Sequence, residues 1–122
     1  MTSSSVLDTS RIDMIRNLDT KGDSLLGRLV EVFEEEARKT MEAVRTGDGD
    51  GDATALHRLA HRLHGSAANL GAPMLASACA DLEAVTAEAS ESEGDVGALV
   101  AQVESELARA LGALHVEAGR SR

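Results

Sequence analysis

Apolar residues recur along this chain at intervals of three and four, the spacing of one helix face, and strand-like alternation is missing. Ile12, Ile15 and Leu18 mark a short first helix over about 9–18, with Asp8 placed as its N-cap. Leu25, Leu26, Leu29, Val30, Phe33, Ala37, Met41 and Val44 stripe a second helix over about 24–45, opened by Asp23. Glu31, Glu34, Glu35 and Glu36 fall mainly outside that stripe and are expected in water. Thr46 to Gly51 reads as a loop, and Asp52 then caps a third helix over about 53–70 that stops at Gly71. Pro73 suits the first turn of a fourth helix over about 73–89, with Leu75, Cys79, Leu82 and Val85 inward. After a polar loop at Ser90–Gly94, Asp95 caps a fifth helix over about 96–117. Its stripe is Val96, Leu99, Val100, Val103, Leu107, Leu111 and Leu114. Four long amphipathic helices with short connections predict an all-α, antiparallel four-helix bundle, with the additional short N-terminal helix covering one end. No internal repeat or long linker divides the chain, so residues 1–122 read as a single domain.

Charge and composition narrow the partners. Twenty-one acids against twelve Lys and Arg give a net charge of −9, which disfavours a nucleic-acid backbone. A chain with no Trp, no Tyr and a single Phe also serves base stacking poorly. No apolar run reaches membrane-spanning length, and the first residues lack the pattern of a signal peptide. The lone Cys79 leaves no internal disulfide and reads as a small buried hydrophobe, so a cytoplasmic protein is expected. Asp48, Asp50 and Asp52 invite a calcium loop, but its sixth and twelfth positions would be Ala53 and Leu59 instead of Gly and Glu. No P-loop, nucleophile elbow or zinc-protease motif is present, so no kinase or ATP site and no independent enzyme is expected. His115 near the end of the fifth helix is expected as a surface or helix-terminal charge.

The charge is uneven. Residues 53–80 contain no Asp or Glu, yet hold His57, Arg58, His61, Arg62 and His64. On a helical wheel with Leu56 at zero, Leu59, Ala60, Leu63, Ala67 and Leu70 fall within roughly 60° and form the core face. The three histidines fall at roughly 80–140°, beside that face, and Gly65 and Ala68 lie within about 40° of His61. Gly65 inside a good helical pattern costs about 1 kcal/mol relative to Ala. Its position about 180° from Leu56 points away from internal packing and toward a partner that docks flat over His61.

The run Ala60-His61-Arg62-Leu63-His64-Gly65-Ser66-Ala67-Ala68-Asn69-Leu70-Gly71-Ala72 resembles the signature of histidine-containing phosphotransfer (HPt) domains, Ala-His-x-Leu-Lys-Gly-Ser-x-x-x-x-Gly-Ala. Leu75, Cys79 and Leu82-Glu83 resemble its continuation. Val6-Leu7-Asp8 and Leu25-Leu26 through Phe33-Glu34-Glu35 resemble its N-terminal half. The resemblance implies a phosphorelay intermediate. By position His61 is its phosphoacceptor, taking a phosphoryl group from one receiver-domain aspartate and passing it to another. It implies response-regulator receiver domains and a hybrid histidine kinase as partners, no cofactor of its own, and Mg²⁺ supplied by the receiver. Monomeric action is expected.

Within that reading, His64, Gly65, Ala68, His57, Arg58 and Arg62 support the phosphoryl group or the docked partner. Arg58 and Arg62 point roughly 60–100° away from His61 and are assigned to steering. His64 stands where the signature has Lys. An ordinary imidazole is mostly neutral at pH 7, so transfer is expected to strengthen modestly as the pH falls and His64 gains charge. Two alternatives compete. His57, His61 and His64 are spaced for helical metal chelation, but no acid in the sequence is evidently placed to complete a shell, so no metal is assigned. A helical interaction module without phosphotransfer is the other.

Overall fold

The computed structural model describes residues 7–19, 25–47, 53–87 and 93–120. Five helices run in order: α1 Thr9–Leu18, α2 Leu25–Gly47, α3 Ala53–Asn69, α4 Pro73–Ala87 and α5 Glu93–Arg120. Helices α2 to α5 close a four-helix bundle in which α3 packs on α4, α4 on α5, α5 on α2 and α2 on α3, while α1 lies against α2. The core takes the predicted faces. Leu26, Val30 and Phe33 of α2 are buried with Leu63, Ala67 and Leu70 of α3, Leu75, Cys79 and Leu82 of α4, and Val103, Leu107 and Leu114 of α5.

Local chemistry sets the helix ends. The Asp8 carboxylate accepts the Ser10 N–H at 3.0 Å and caps α1. Asp19, just past α1, accepts the Leu25 N–H at 2.9 Å and so serves the start of α2. The expected caps Asp23 and Asp52 lie outside the described residues, as do residues 48–51 of the expected loop.

The α3–α4 turn carries most of the architecture. Gly71 has φ +76°, its N–H reaches the Ala68 carbonyl at 3.1 Å, and the Ala72 N–H reaches the Ala67 carbonyl at 2.9 Å. These are the paired bonds of a Schellman stop, with Pro73 opening α4 two residues later. The Gly71 carbonyl also accepts the Asp8 N–H at 2.7 Å, which pins α1 to the turn. At its other end, α1 is held by Arg16, whose guanidinium donates to the Glu117 carbonyl at 2.8 Å and to its carboxylate at 2.6 Å.

Several expectations need correction. Leu18 is exposed, because it is the last residue of α1 and lies beyond the buried Ile12–Ile15 turn. Leu29 is also exposed, at the edge of its stripe, roughly 60° from Leu26. The fifth helix begins at Glu93, so position 95 lies inside its first turn instead of at its cap. The same helix runs on to Arg120. Helix α2 continues through Gly47, and α3 ends one residue early at Asn69, differences of the size that fraying ends produce. His115 is more than a terminal charge, since its Nε2 lies 2.8 Å from a Glu34 carboxylate oxygen across the bundle.

A Cβ at position 71 would stand 2.9 Å from Arg11 Cβ, in a backbone conformation unfavourable to L residues. Gly71→Ala is therefore expected to lower stability by about 2 kcal/mol, read by chemical denaturation. A change within about 0.5 kcal/mol would show that the turn yields freely.

Candidate functional site

The hairpin of α3 and α4 turns about residues 71–72, so position 61 comes to stand opposite position 83. Across that interface one carboxylate meets two histidines. Glu83 Oε2 lies 2.6 Å from His61 Nδ1, and Glu83 Oε1 lies 2.6 Å from His64 Nδ1. A carboxylate only accepts, so each Nδ1 donates its proton to Glu83. In the neutral rings this tautomer leaves a bare lone pair on Nε2.

The surroundings distinguish the two rings. The His61 side chain is 75% exposed, while that of Glu83 is only 15% exposed. The base of the site is thus fixed and its histidine stands in solvent. His64, at 38% side-chain exposure, is half sheltered. Burial pushes the Glu83 carboxyl up, but the hydrogen bonds and charges of His61 and His64 outweigh it and hold the group below its ordinary value of 4.5. Cys79 lies buried nearby, and burial together with the Glu83 charge pushes its thiol up to about 12, so it is no nucleophile.

His57 has a different task. Its Nδ1 donates to the Glu83 carbonyl at 3.0 Å and lies 3.2 Å from the Thr86 hydroxyl. That hydroxyl itself donates to the Leu82 carbonyl at 2.8 Å, so His57 is a half-buried tie between α3 and α4. His57 therefore stands apart from His61 and His64, which meet on Glu83 through hydrogen bonds, and among the described residues no group of three His, Cys, Asp or Glu side chains is arranged to hold a metal ion.

Other predicted residues lie as the wheel placed them. Gly65 is exposed, and a Cβ built on it meets nothing within 4 Å, so no contact inside the chain requires glycine there. Ala68 is exposed as well. Arg58 and Arg62 are exposed and take no hydrogen-bond or ion-pair partner among the described residues.

Glu83 is the residue that sequence reasoning passed over. The acid-free run holds for residues 53–80 in sequence but not in space, because α4 returns an acid to His61. Mirroring the hairpin about Gly71-Ala72 would have found it, since positions 61 and 83 lie nearly the same distance from that turn.

Glu83→Gln keeps one acceptor oxygen and loses the charge, so it should cost about 1–2 kcal/mol in denaturation at neutral pH. Because the carboxyl is held below 4.5, its contribution is complete above that value and fades as the pH falls through the folded-state value. The gap between wild type and Glu83→Gln should therefore close on acidification. A gap that stays constant would mean that the carboxylate does not tie the helices.

Comparison with known proteins identifies the fold and the family. The solved structure of histidine-containing phosphotransfer protein B (HptB) from Pseudomonas aeruginosa PAO1 is similar throughout. Its TM-score is 0.83 at 26% identity, with 95% of this chain and 96% of that one covered. No curated protein matches the chain. The Hpt domain family matches over residues 28–115, a span that contains His61, His64 and Glu83 together. With most of its length in that match, the chain belongs to the Hpt domain family, and its function is histidine phosphotransfer in a phosphorelay.

Proposed function

We propose that His61 is the phosphoacceptor and that its Nε2 is the reacting atom. The observation that carries this is the exposed ring whose Nδ1 proton is held by Glu83. The Nε2 lone pair attacks the phosphorus of a receiver-domain aspartyl phosphate. An N–P bond forms, the P–O bond to the aspartate breaks, and its electron pair returns to the aspartate carboxylate. As the bond forms, the ring becomes cationic while keeping its Nδ1 proton, and Glu83 offsets that charge from behind. Onward transfer runs the same step in reverse to a second aspartate. Positioning and charge account for most of the catalysis in such transfers.

The acid beside His61 does not oppose this step, because it occupies the Nδ1 side of the ring and Nε2 stays clear. Gly65 and Ala68 leave a flat, open surface for the partner next to the ring. Arg58 and Arg62 are placed to steer the acidic pocket of a receiver domain, where Mg²⁺ belongs. A groove of about 310 Å³ between α1, α2 and the end of α3 extends the docking surface, with Leu29, Val32 and Phe33 in its lining. That Leu29 and Val32 are exposed is accounted for by this role. The partners are response-regulator receiver domains and a hybrid histidine kinase.

In this reading residues 1–122 act as a single domain, as a monomer and without nucleic acid. The ties from α1 to Gly71 and Glu117 and the net charge of −9 support it. No described helix is long and apolar enough to cross a membrane. A reduced, buried Cys79 accords with action in the cytoplasm.

Mixed with a phosphorylated cognate receiver domain, wild type should gain an acid-labile, alkali-stable phosphate and His61→Gln should gain none. Label on His61→Gln equal to wild type would overturn the assignment. Val32→Asp should leave stability within about 0.5 kcal/mol and slow transfer roughly tenfold at low receiver concentration. An unchanged rate would remove the groove from the docking surface.

A further inference from the structure

The sharing of Glu83 by two imidazoles fixes a proton count at the site. Before transfer, the groups facing His64 are few. From α4 there is the Glu83 carboxylate, bonded to it at 2.6 Å. From the start of α1 there is Asp8, which borders the same recess as His64 beside Ala68, Ala76 and Ala80. On its own helix there is His61, across Glu83, while His57 is committed to the Glu83 carbonyl and Thr86. Behind Glu83, Cys79 is a buried neutral thiol. No Lys or Arg makes a described bond to His61, His64 or Glu83.

Phosphorylation of His61 unbalances this set. The N–P bond adds one positive charge to the ring and about two negative charges on the phosphoryl group. The site therefore becomes more negative by about one charge, with no fixed cation bonded to it. His64 is the facing group able to answer. Its Nδ1 already carries a proton and bonds Glu83, so a second proton goes to Nε2 and converts the ring to an imidazolium without breaking the bond to Glu83.

We propose that His64 takes up a proton at Nε2 when His61 is phosphorylated, which links the retention of the phosphoryl group to pH. His64 is thus a positioning residue that acts through charge and the shared Glu83. The proposal rests on His61 as the phosphoacceptor. Linkage fixes its sign: if the phosphorylated form binds His64's proton more tightly, a lower pH favours the phosphorylated form by the same factor.

The test uses the full chain with ¹⁵N-labelled histidine, phosphorylated with phosphoramidate. His61 Nε2 displaces ammonia from phosphorus in that reaction, and no receiver domain is needed. Nitrogen–proton correlation spectra follow His64 through pH with and without the phosphoryl group. Its titration midpoint should move up by about one unit in the phosphorylated protein. A midpoint that stays put or moves down while His61 carries phosphate overturns the proposal but leaves the phosphoacceptor standing. Phosphate bound to another residue with His61 bare overturns both.

His64→Gln keeps a donor for Glu83 but cannot take up a proton. With phosphorylated receiver as donor, the equilibrium phosphate level of wild type relative to His64→Gln should rise as the pH is lowered from about 8 to about 6.5. A flat ratio contradicts the proposal.

Discussion

The turn at Gly71 is the constraint on which the rest of the molecule depends. Its left-handed backbone stops α3, and the two residues that follow launch α4 back along it. That reversal fixes which residues of the two helices face each other, and it brings Glu83 to His61 and His64. The Gly71 carbonyl also receives the Asp8 amide, so the same residue seats α1 beside the bundle. The site therefore stands on packed helices with a fixed register, where a side chain is held more sharply than on a loop.

Glu83 converts this register into chemistry. One largely sheltered carboxylate accepts hydrogen bonds from the Nδ1–H groups of two rings and leaves an Nε2 lone pair on the exposed one. In the proposed mechanism, nucleophile and support are thus separated across a single imidazole, with the negative charge behind the ring and the reacting atom in front. His57 ties the two helices one turn farther along, through the Glu83 carbonyl and Thr86, and so helps hold the backbone that carries the carboxylate. An aromatic-poor, Ala-rich chain is sufficient for this arrangement.

Much of this was legible before any coordinates. Periodicity placed five helices, because amphipathic stripes, the Asp8 cap, Gly71 and Pro73 are all local signals. The wheel of α3 placed His61 beside the core and Gly65 facing outward. Helix ends were less legible at Glu93 and Arg120, where Gly94 and Gly119 lie inside α5 instead of ending it. The exposure of Leu18 and Leu29 was hidden because an apolar residue reads alike whether it faces a core or solvent. Glu83 was hidden for a deeper reason: its contact with His61 joins residues twenty-two positions apart on two helices, and a run without acids says nothing about what the next helix brings. The role of His57 was missed for the same cause, since its partners are a backbone carbonyl and a threonine on α4.

The account's central claim is that Glu83 holds Nδ1 of His61 and frees Nε2 to react. The nitrogen that carries phosphorus in the phosphorylated protein tests this most directly. Nitrogen–proton correlation spectra with phosphorus coupling should place the N–P bond on Nε2 of His61. A phosphoryl group on Nδ1 of that ring, or on His57, His64 or His115, would contradict it.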